Sequence, residues 1–131
     1  MSAPVVVIAE DEPRLLASLA FIVRREGGTP VEAADGDTAL ALIRAHRPAL
    51  ALLDVMMPGL DGLAVTRAVR AEAGLAATPI IVITALGQAD HERQALEAGA
   101  TAYVRKPFAV AELRAMIVAH LGGGAPVGAA G

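Results

Sequence analysis

A chain of 131 residues suits a single domain and can bury one hydrophobic core without disulfide or metal staples. Its apolar share is 55% with only 2% aromatic, so the core has to be built from Ala, Val, Leu and Ile. A net charge of −3 without a basic run excludes a nucleic-acid surface held by phosphate contacts, and the lack of cysteine excludes disulfides, thiolate catalysis and Cys-ligated zinc. The apolar run Val5-Val6-Val7-Ile8 has no positive charge before it and is too short for a signal core or a membrane span, so a soluble, unexported, cytoplasmic chain is expected.

Residues 4–9 form a continuous, largely β-branched apolar run, the pattern of a buried central strand. Glu10-Asp11-Glu12 ends it, and Pro13 fits the first turn of a helix in which Leu15, Leu16, Leu19, Ile22 and Val23 keep the helical period as far as Gly27-Gly28. Residues 29–34 are a weaker strand, and Pro30 near its start places it at a sheet edge. Asp37 is the expected cap of the next helix, with Leu40 and Ile43 inward and Pro48 forcing an end by Arg47. Five apolar residues at 49–53 then run into Asp54 and a Pro58-Gly59 loop, which predicts a strand buried on both faces that delivers one carboxylate at its carboxyl end. Asp54 could instead cap a helix, but Asp61, followed by Gly62, Leu63 and Val65, is the better cap.

Residues 61–72 read as a third helix with Leu63, Val65 and Val69 inward, closed by Gly74. Residues 79–84 are the most strand-like stretch. Residues 88–98 contain helix formers but only Leu96 as a large apolar anchor, which predicts a loosely held helix ended by Gly99. A short strand at 101–104, a Lys106-Pro107 loop and a last helix at 110–121, with Leu113, Met116, Ile117 and His120 at helical spacing, complete a domain of residues 1–121. The Gly/Ala-rich residues 122–131 are expected to be a flexible tail. Five strand-helix units predict an α/β fold, a doubly wound five-stranded parallel sheet with helices on both faces. The edge position of the second strand favours the flavodoxin-like order 2-1-3-4-5.

In that order the carboxyl ends of the strands bring Glu10, Asp11, Asp54, Thr84 and Lys106 to one crevice. Clustered carboxylates resist joint ionisation and call for a cation, and an oxygen-only donor set points to Mg²⁺. Lys106 could pair with Asp54 or with an incoming anion, and Thr84 could donate a hydrogen bond to it; these are the parts needed for phosphoryl transfer to Asp54. Each residue has an ordinary explanation as well: a helix-dipole contact for Glu10 and Asp11, a strand end for Thr84, a solvated charge for Lys106, a half-buried strand position for Tyr103. Taken together those explanations are weak, because all five crevice residues fall at the same sheet edge. His46 and His120 suit helix C-termini, His91 lies on a polar helix, and none is assigned a ligand role.

Four motifs in order, Val-Val-Ile-Ala-Glu-Asp-Glu, Leu-Leu-Asp-Val-Met-Met-Pro-Gly-Leu-Asp-Gly, Ile-Ile-Val-Ile-Thr-Ala and Ala-Gly-Ala-Thr-Ala-Tyr-Val-Arg-Lys-Pro-Phe, make residues 4–121 resemble the CheY-like receiver domain of two-component response regulators. The resemblance implies that Asp54 accepts a phosphoryl group from a histidine kinase or a histidine phosphotransfer protein. It implies that Asp11, Asp54 and the Met56 carbonyl bind Mg²⁺ with Glu10 assisting, that Thr84 and Lys106 contact the phosphoryl group, and that Thr84 and Tyr103 act as the switch. It further implies a cis bond at Lys106-Pro107, and a surface of the fourth helix, fifth strand and fifth helix that binds a downstream protein target. Such a protein is not an enzyme toward external substrates; it catalyses only its own aspartyl phosphorylation and dephosphorylation. No direct nucleic-acid contact and no membrane insertion are expected.

A haloacid-dehalogenase-type hydrolase would need a second Asp where Met56 stands, and a flavodoxin-like flavin protein would need a phosphate loop where Glu10-Asp11-Glu12 stands. An unphosphorylated interaction module is opposed by the complete acid set with Thr84 and Lys106. Thr101 and Ala102 precede Tyr103, Glu92 stands on the fourth helix, and Met116 follows Glu112. By resemblance these positions lack the charges of the symmetric dimer of winged-helix regulators, so a monomer or weak dimer is expected. A single-domain regulator is the favoured reading and a receiver excised from a larger protein the runner-up.

Overall fold

Strands and helices alternate along the chain in the computed structural model, which describes residues 3–85 and 89–121. Among these residues the elements are β1 (Val5–Ala9), α1 (Pro13–Arg25), β2 (Thr29–Ala33), α2 (Gly36–His46), β3 (Leu50–Asp54), α3 (Gly62–Ala71), β4 (Ile80–Thr84), α4 (Ala89–Ala98), β5 (Ala102–Arg105) and α5 (Val110–Ala119). All pairings are parallel and the sheet order is β2-β1-β3-β4-β5, as the sequence predicts. β2 takes the edge, where Pro30 costs no ladder bond on its open side.

Alternation along the strands feeds two cores. Val7, Ala9, Ala51, Leu53, Ile80 and Val82 face the layer of α2, α3 and α4, while Val6, Ile8, Leu50, Leu52, Ile81 and Ile83 face α1 and α5. β3 and β4 are buried at every position. At roughly 1.5–3 kcal/mol for each fully buried Leu or Ile, these two strands anchor the register on which the site depends. Among the described residues no helix is long and apolar enough to cross a membrane.

Most differences from the sequence reading are at ends: β1 begins at Val5, β2 stops at Ala33, β4 begins at Ile80, β5 is shifted by one residue, and α5 stops at Ala119. Gln88 and residues 122–131 lie outside the described residues. Three corrections have clear causes. The cap of α2 is Asp35, not Asp37: its extended backbone lets the carboxylate accept the Thr38 N–H at 2.7 Å and the Thr38 hydroxyl at 3.0 Å, leaving Asp37 in the first turn. α3 ends at Ala71, one residue before the expected Glu72, because the Glu72 N–H already bonds back to the Val69 carbonyl. Leu96 does not anchor α4; it is 53% exposed, and Ala95 and Ala98 are the buried residues.

Candidate phosphoacceptor site

β1 and β3 are neighbours in register, so the residues that follow or end them meet at one place: Glu10 just beyond Ala9, and Asp54 as the last residue of β3. Both are buried, at 1% and 2% exposure. The backbone N–H of Glu10 bonds to the Ala33 carbonyl at 3.0 Å and its Oε2 accepts the Glu12 N–H at 3.1 Å, which turns the chain out of the sheet. Glu12 then caps α1 by accepting from the N–H groups of Arg14 and Leu15. Beyond Asp54, the Val55 N–H extends the ladder to the Ile83 carbonyl at 3.1 Å.

The Asp54 carboxylate is held from two sides. Oδ1 accepts the Met56 N–H at 3.1 Å, and Oδ2 accepts Lys106 Nζ at 2.8 Å. Lys106 is itself placed by its backbone N–H, which bonds to the Thr84 carbonyl at 2.7 Å and ties the end of β5 to the end of β4. Glu10 Oε1 lies 3.4 Å from Nζ, within ion-pair range but not aligned as a hydrogen bond, so this buried oxygen has no hydrogen-bond partner among the described residues. Glu10, Asp11 and Asp54 each offer a carboxylate oxygen, and these atoms lie within 4.8 Å of one another.

Such crowding shows in the protonation equilibria. Burial, then the close approach and charge of the Asp54 carboxylate, push Glu10 up to about 7, against the opposing pull of the Glu12 N–H and Lys106. Burial alone pushes Lys106 down, but its hydrogen bond to Asp54 and the charges of Asp54 and Glu10 outweigh this and hold it above its usual value. One ammonium is thus shared by two buried carboxylates, Glu10 and Asp54, with Asp11 beside them. A partnerless buried Glu oxygen beside two more carboxylates, all hard oxygen donors, is a set compatible with a divalent metal such as Mg²⁺.

Of the remaining residues singled out from the sequence, Thr84 is fully buried and its hydroxyl donates to the Val104 carbonyl at 3.4 Å, so it adjoins the crevice without bonding to Asp54. Tyr103 is half-buried against the α2–α4 core. Met56 is 61% exposed, held at its backbone by Asp54, and the Lys106-Pro107 bond is cis. The sequence reading left Arg105 without a role. It shares the α4 face of β5 with Tyr103, two residues apart, and its guanidinium contacts the Glu92 carboxylate at 2.5 Å. That i, i+2 spacing was the available signal.

Residues 6–118 match the response regulator receiver domain family. The chain is 39% identical over 116 residues to the DNA-binding response regulator MtrA of Mycolicibacterium smegmatis, covering 88% of this chain and 50% of that protein. It spans about half the length of the curated relatives it matches. A response regulator from Chloroflexus aurantiacus superposes with a TM-score of 0.86 at 30% identity, covering 92% of this chain and 98% of that one. The receiver domain of a Pseudomonas aeruginosa sensor histidine kinase, with a magnesium ion coordinated in its active site cleft, superposes with a TM-score of 0.83 at 30% identity over 92% of this chain and 99% of that one. A parallel 2-1-3-4-5 sheet with an acidic pocket at its carboxyl edge, matched along nearly its whole length, makes this chain a member of the response regulator receiver domain family, with the pocket typical of Mg²⁺-dependent aspartyl phosphorylation in two-component signalling rather than the site of a conventional enzyme.

Proposed function

We propose that Asp54 accepts a phosphoryl group from a phosphohistidine of a histidine kinase or phosphotransfer protein. The observation that carries this reading is the Asp54 carboxylate at the end of a fully buried strand, 2.8 Å from Lys106 Nζ and within 4.8 Å of two further acids. In the transfer a carboxylate oxygen of Asp54 attacks phosphorus, the P–N bond breaks, and its electron pair returns to the imidazole. Glu10, Asp11, Asp54 and the Met56 carbonyl would hold Mg²⁺, which would supply positive charge to offset that of the phosphoryl group.

Lys106 already holds its ammonium at the acceptor oxygen, so it offsets the charge added there without a search. The Thr84 hydroxyl is poised for a new partner: at 3.4 Å its bond to Val104 is long for O–H···O, and a phosphoryl oxygen would be the better acceptor. Turning Thr84 toward Asp54 vacates space beside β5, and the half-buried Tyr103 is the side chain placed to take it. Movement of Tyr103 and α4 then alters the α4–β5–α5 surface read by a downstream protein. We place the protein in the cytoplasm, where histidine kinases present their phosphohistidine.

Glu92 is engaged by Arg105 of its own chain at 2.5 Å, which supports a monomer or weak dimer. We take residues 1–121 as the receiver unit, acting by protein binding through its α4–β5–α5 surface. The second reading, a receiver from a longer DNA-binding regulator, is favoured by relatives about twice the matched length. Intact-mass measurement with acetyl phosphate and Mg²⁺ tests the central step: one base-labile phosphate is expected on the wild type and none on Asp54→Ala, and persistence of the adduct in the variant would overturn it.

A further inference from the structure

The segment from Asp54 to Leu60 carries both the acceptor carboxylate and the Met56 carbonyl, yet it is a loop, and something must hold it. Its direct ties are few: Val55 N–H to the Ile83 carbonyl at 3.1 Å, Gly62 N–H to the Val55 carbonyl at 3.1 Å, and a long Gly36 N–H to Pro58 carbonyl contact at 3.4 Å. Two glycines supply the rest by having no side chain. At Gly62 a Cβ would lie 2.4 Å from the Asp54 carbonyl oxygen, 2.9 Å from its carbon and 3.1 Å from Val55 Cα. At Gly36 it would lie 1.8 Å from the Leu60 carbonyl oxygen and 2.6 Å from its carbon.

Neither glycine has a positive φ, unlike Gly27, Gly59 and Gly99, so backbone conformation does not require them. Space does. Each opens a helix whose first turn is already fixed. Gly36 starts α2 beside the Asp35 cap, and Gly62 starts α3 beside the Asp61 cap, with the buried Thr66 hydroxyl donating to the Gly62 carbonyl at 2.8 Å. The α2 turn makes a further close approach, because a Cβ at Gly59 would sit 2.5 Å from Asp37 Oδ2. The loop is therefore seated on two rigid helix starts, one under Asp54 and one against Leu60.

We propose that Gly36 and Gly62 are positioning residues of the aspartyl site, admitting the backbone contacts that seat residues 54–60 and so aim the Asp54 carboxylate and the Met56 carbonyl at the cation. This rests on the metal-binding part of the proposed function. The contacts lie on the backbone that carries two of the proposed ligands, so a displacement at either glycine reaches the metal through the loop.

Two-dimensional amide NMR of the metal-free protein, followed by Mg²⁺ titration, tests it. Gly36→Ala should shift the amides of residues 54–60 and weaken Mg²⁺ binding on the order of tenfold. Leu60→Gly, which introduces no clash, removes the Cβ that faces Gly36 and frees the loop backbone at the same contact, should shift the same amides and weaken Mg²⁺ by roughly threefold, which keeps the proposal testable if Gly36→Ala does not fold. Gly74→Ala, whose Cβ would meet only the mobile end of Arg47 at 3.4 Å, should change neither. Unmoved amides in both test variants would overturn the brace, and moved amides with unchanged Mg²⁺ affinity would overturn the positioning role. Absence of Mg²⁺ binding in the wild type would instead overturn the proposed metal site, and the amide shifts would still decide whether the glycines seat the loop.

Discussion

α3 and α4 leave the same crevice from adjacent strands and have the same length, ten residues each, but they are held very differently. α3 has a side-chain cap from Asp61 and buries Leu63, Val65, Thr66 and Val69. Among its described side chains α4 buries two alanines, Ala95 and Ala98, and it turns its one large aliphatic side chain, Leu96, outward. Its other ties are at isolated points. Arg70 of α3 donates to the Gly99 carbonyl at 2.7 Å and to the Thr78 carbonyl at 2.7 Å, pinning the C-terminal end, while Glu92 meets Arg105. His91 Nδ1 is buried in α4 without a hydrogen-bond partner among the described residues. The contrast teaches that a change at Asp54 finds α3 rigid and α4 yielding, because burial of apolar volume sets the local free energy of opening.

Truncation of core contacts should expose this contrast most strongly. Leu63→Ala is expected to lower the stability of the fold by about 3 kcal/mol, since a side chain closed in by the sheet leaves a cavity. Leu96→Ala should stay within about 0.5 kcal/mol. Urea unfolding of both variants checks the pair, and equal losses would erase the distinction between the helices.

A second effect belongs to the site from which both helices depart. Glu10 is raised from 4.5 to about 7 in the folded protein, so its protonated form favours folding. The contribution is complete below about pH 4.5 and is lost as pH rises through about 7, roughly 3 kcal/mol in all for the metal-free protein. Glu10→Gln should flatten this window in denaturation curves collected with a chelator present. If the slope arose from α4 rather than from the crevice, the substitution would leave it in place.

The smallest expected effect sharpens the account of α4 alone. Arg105 is 57% exposed at its side chain, so Arg105→Ala should cost no more than about 0.5 kcal/mol of global stability. Hydrogen exchange should nevertheless speed up in α4 and stay unchanged in α3. Uniform acceleration across both helices would show that the Glu92 contact is not a local restraint.

Much of this was legible in the residues themselves. Runs such as Ile80-Ile81-Val82-Ile83 and Leu50-Ala51-Leu52-Leu53 have the continuous apolar pattern of strands covered on both faces, Pro30 marks an edge, and Asp54 is polar at the point where such a run ends. Strand order and the gathering of Glu10, Asp11, Asp54 and Lys106 follow from those local signals, because a parallel sheet with crossover helices leaves few topologies. Other features depended on neighbours far along the chain. Asp35 and Asp37 are both competent caps, and only the backbone path into α2 selects the first. α4 has too few apolar residues for periodicity to name its inner face, so packing against α3 and β5 chose Ala95 over Leu96. The direction of the Thr84 hydroxyl, the Glu92–Arg105 contact, and the backbone approaches at Gly36 and Gly62 are distances of a few ångströms between segments remote in sequence. Local sequence encodes period, φ and ψ; which atoms then touch is decided only when the helices settle on the sheet.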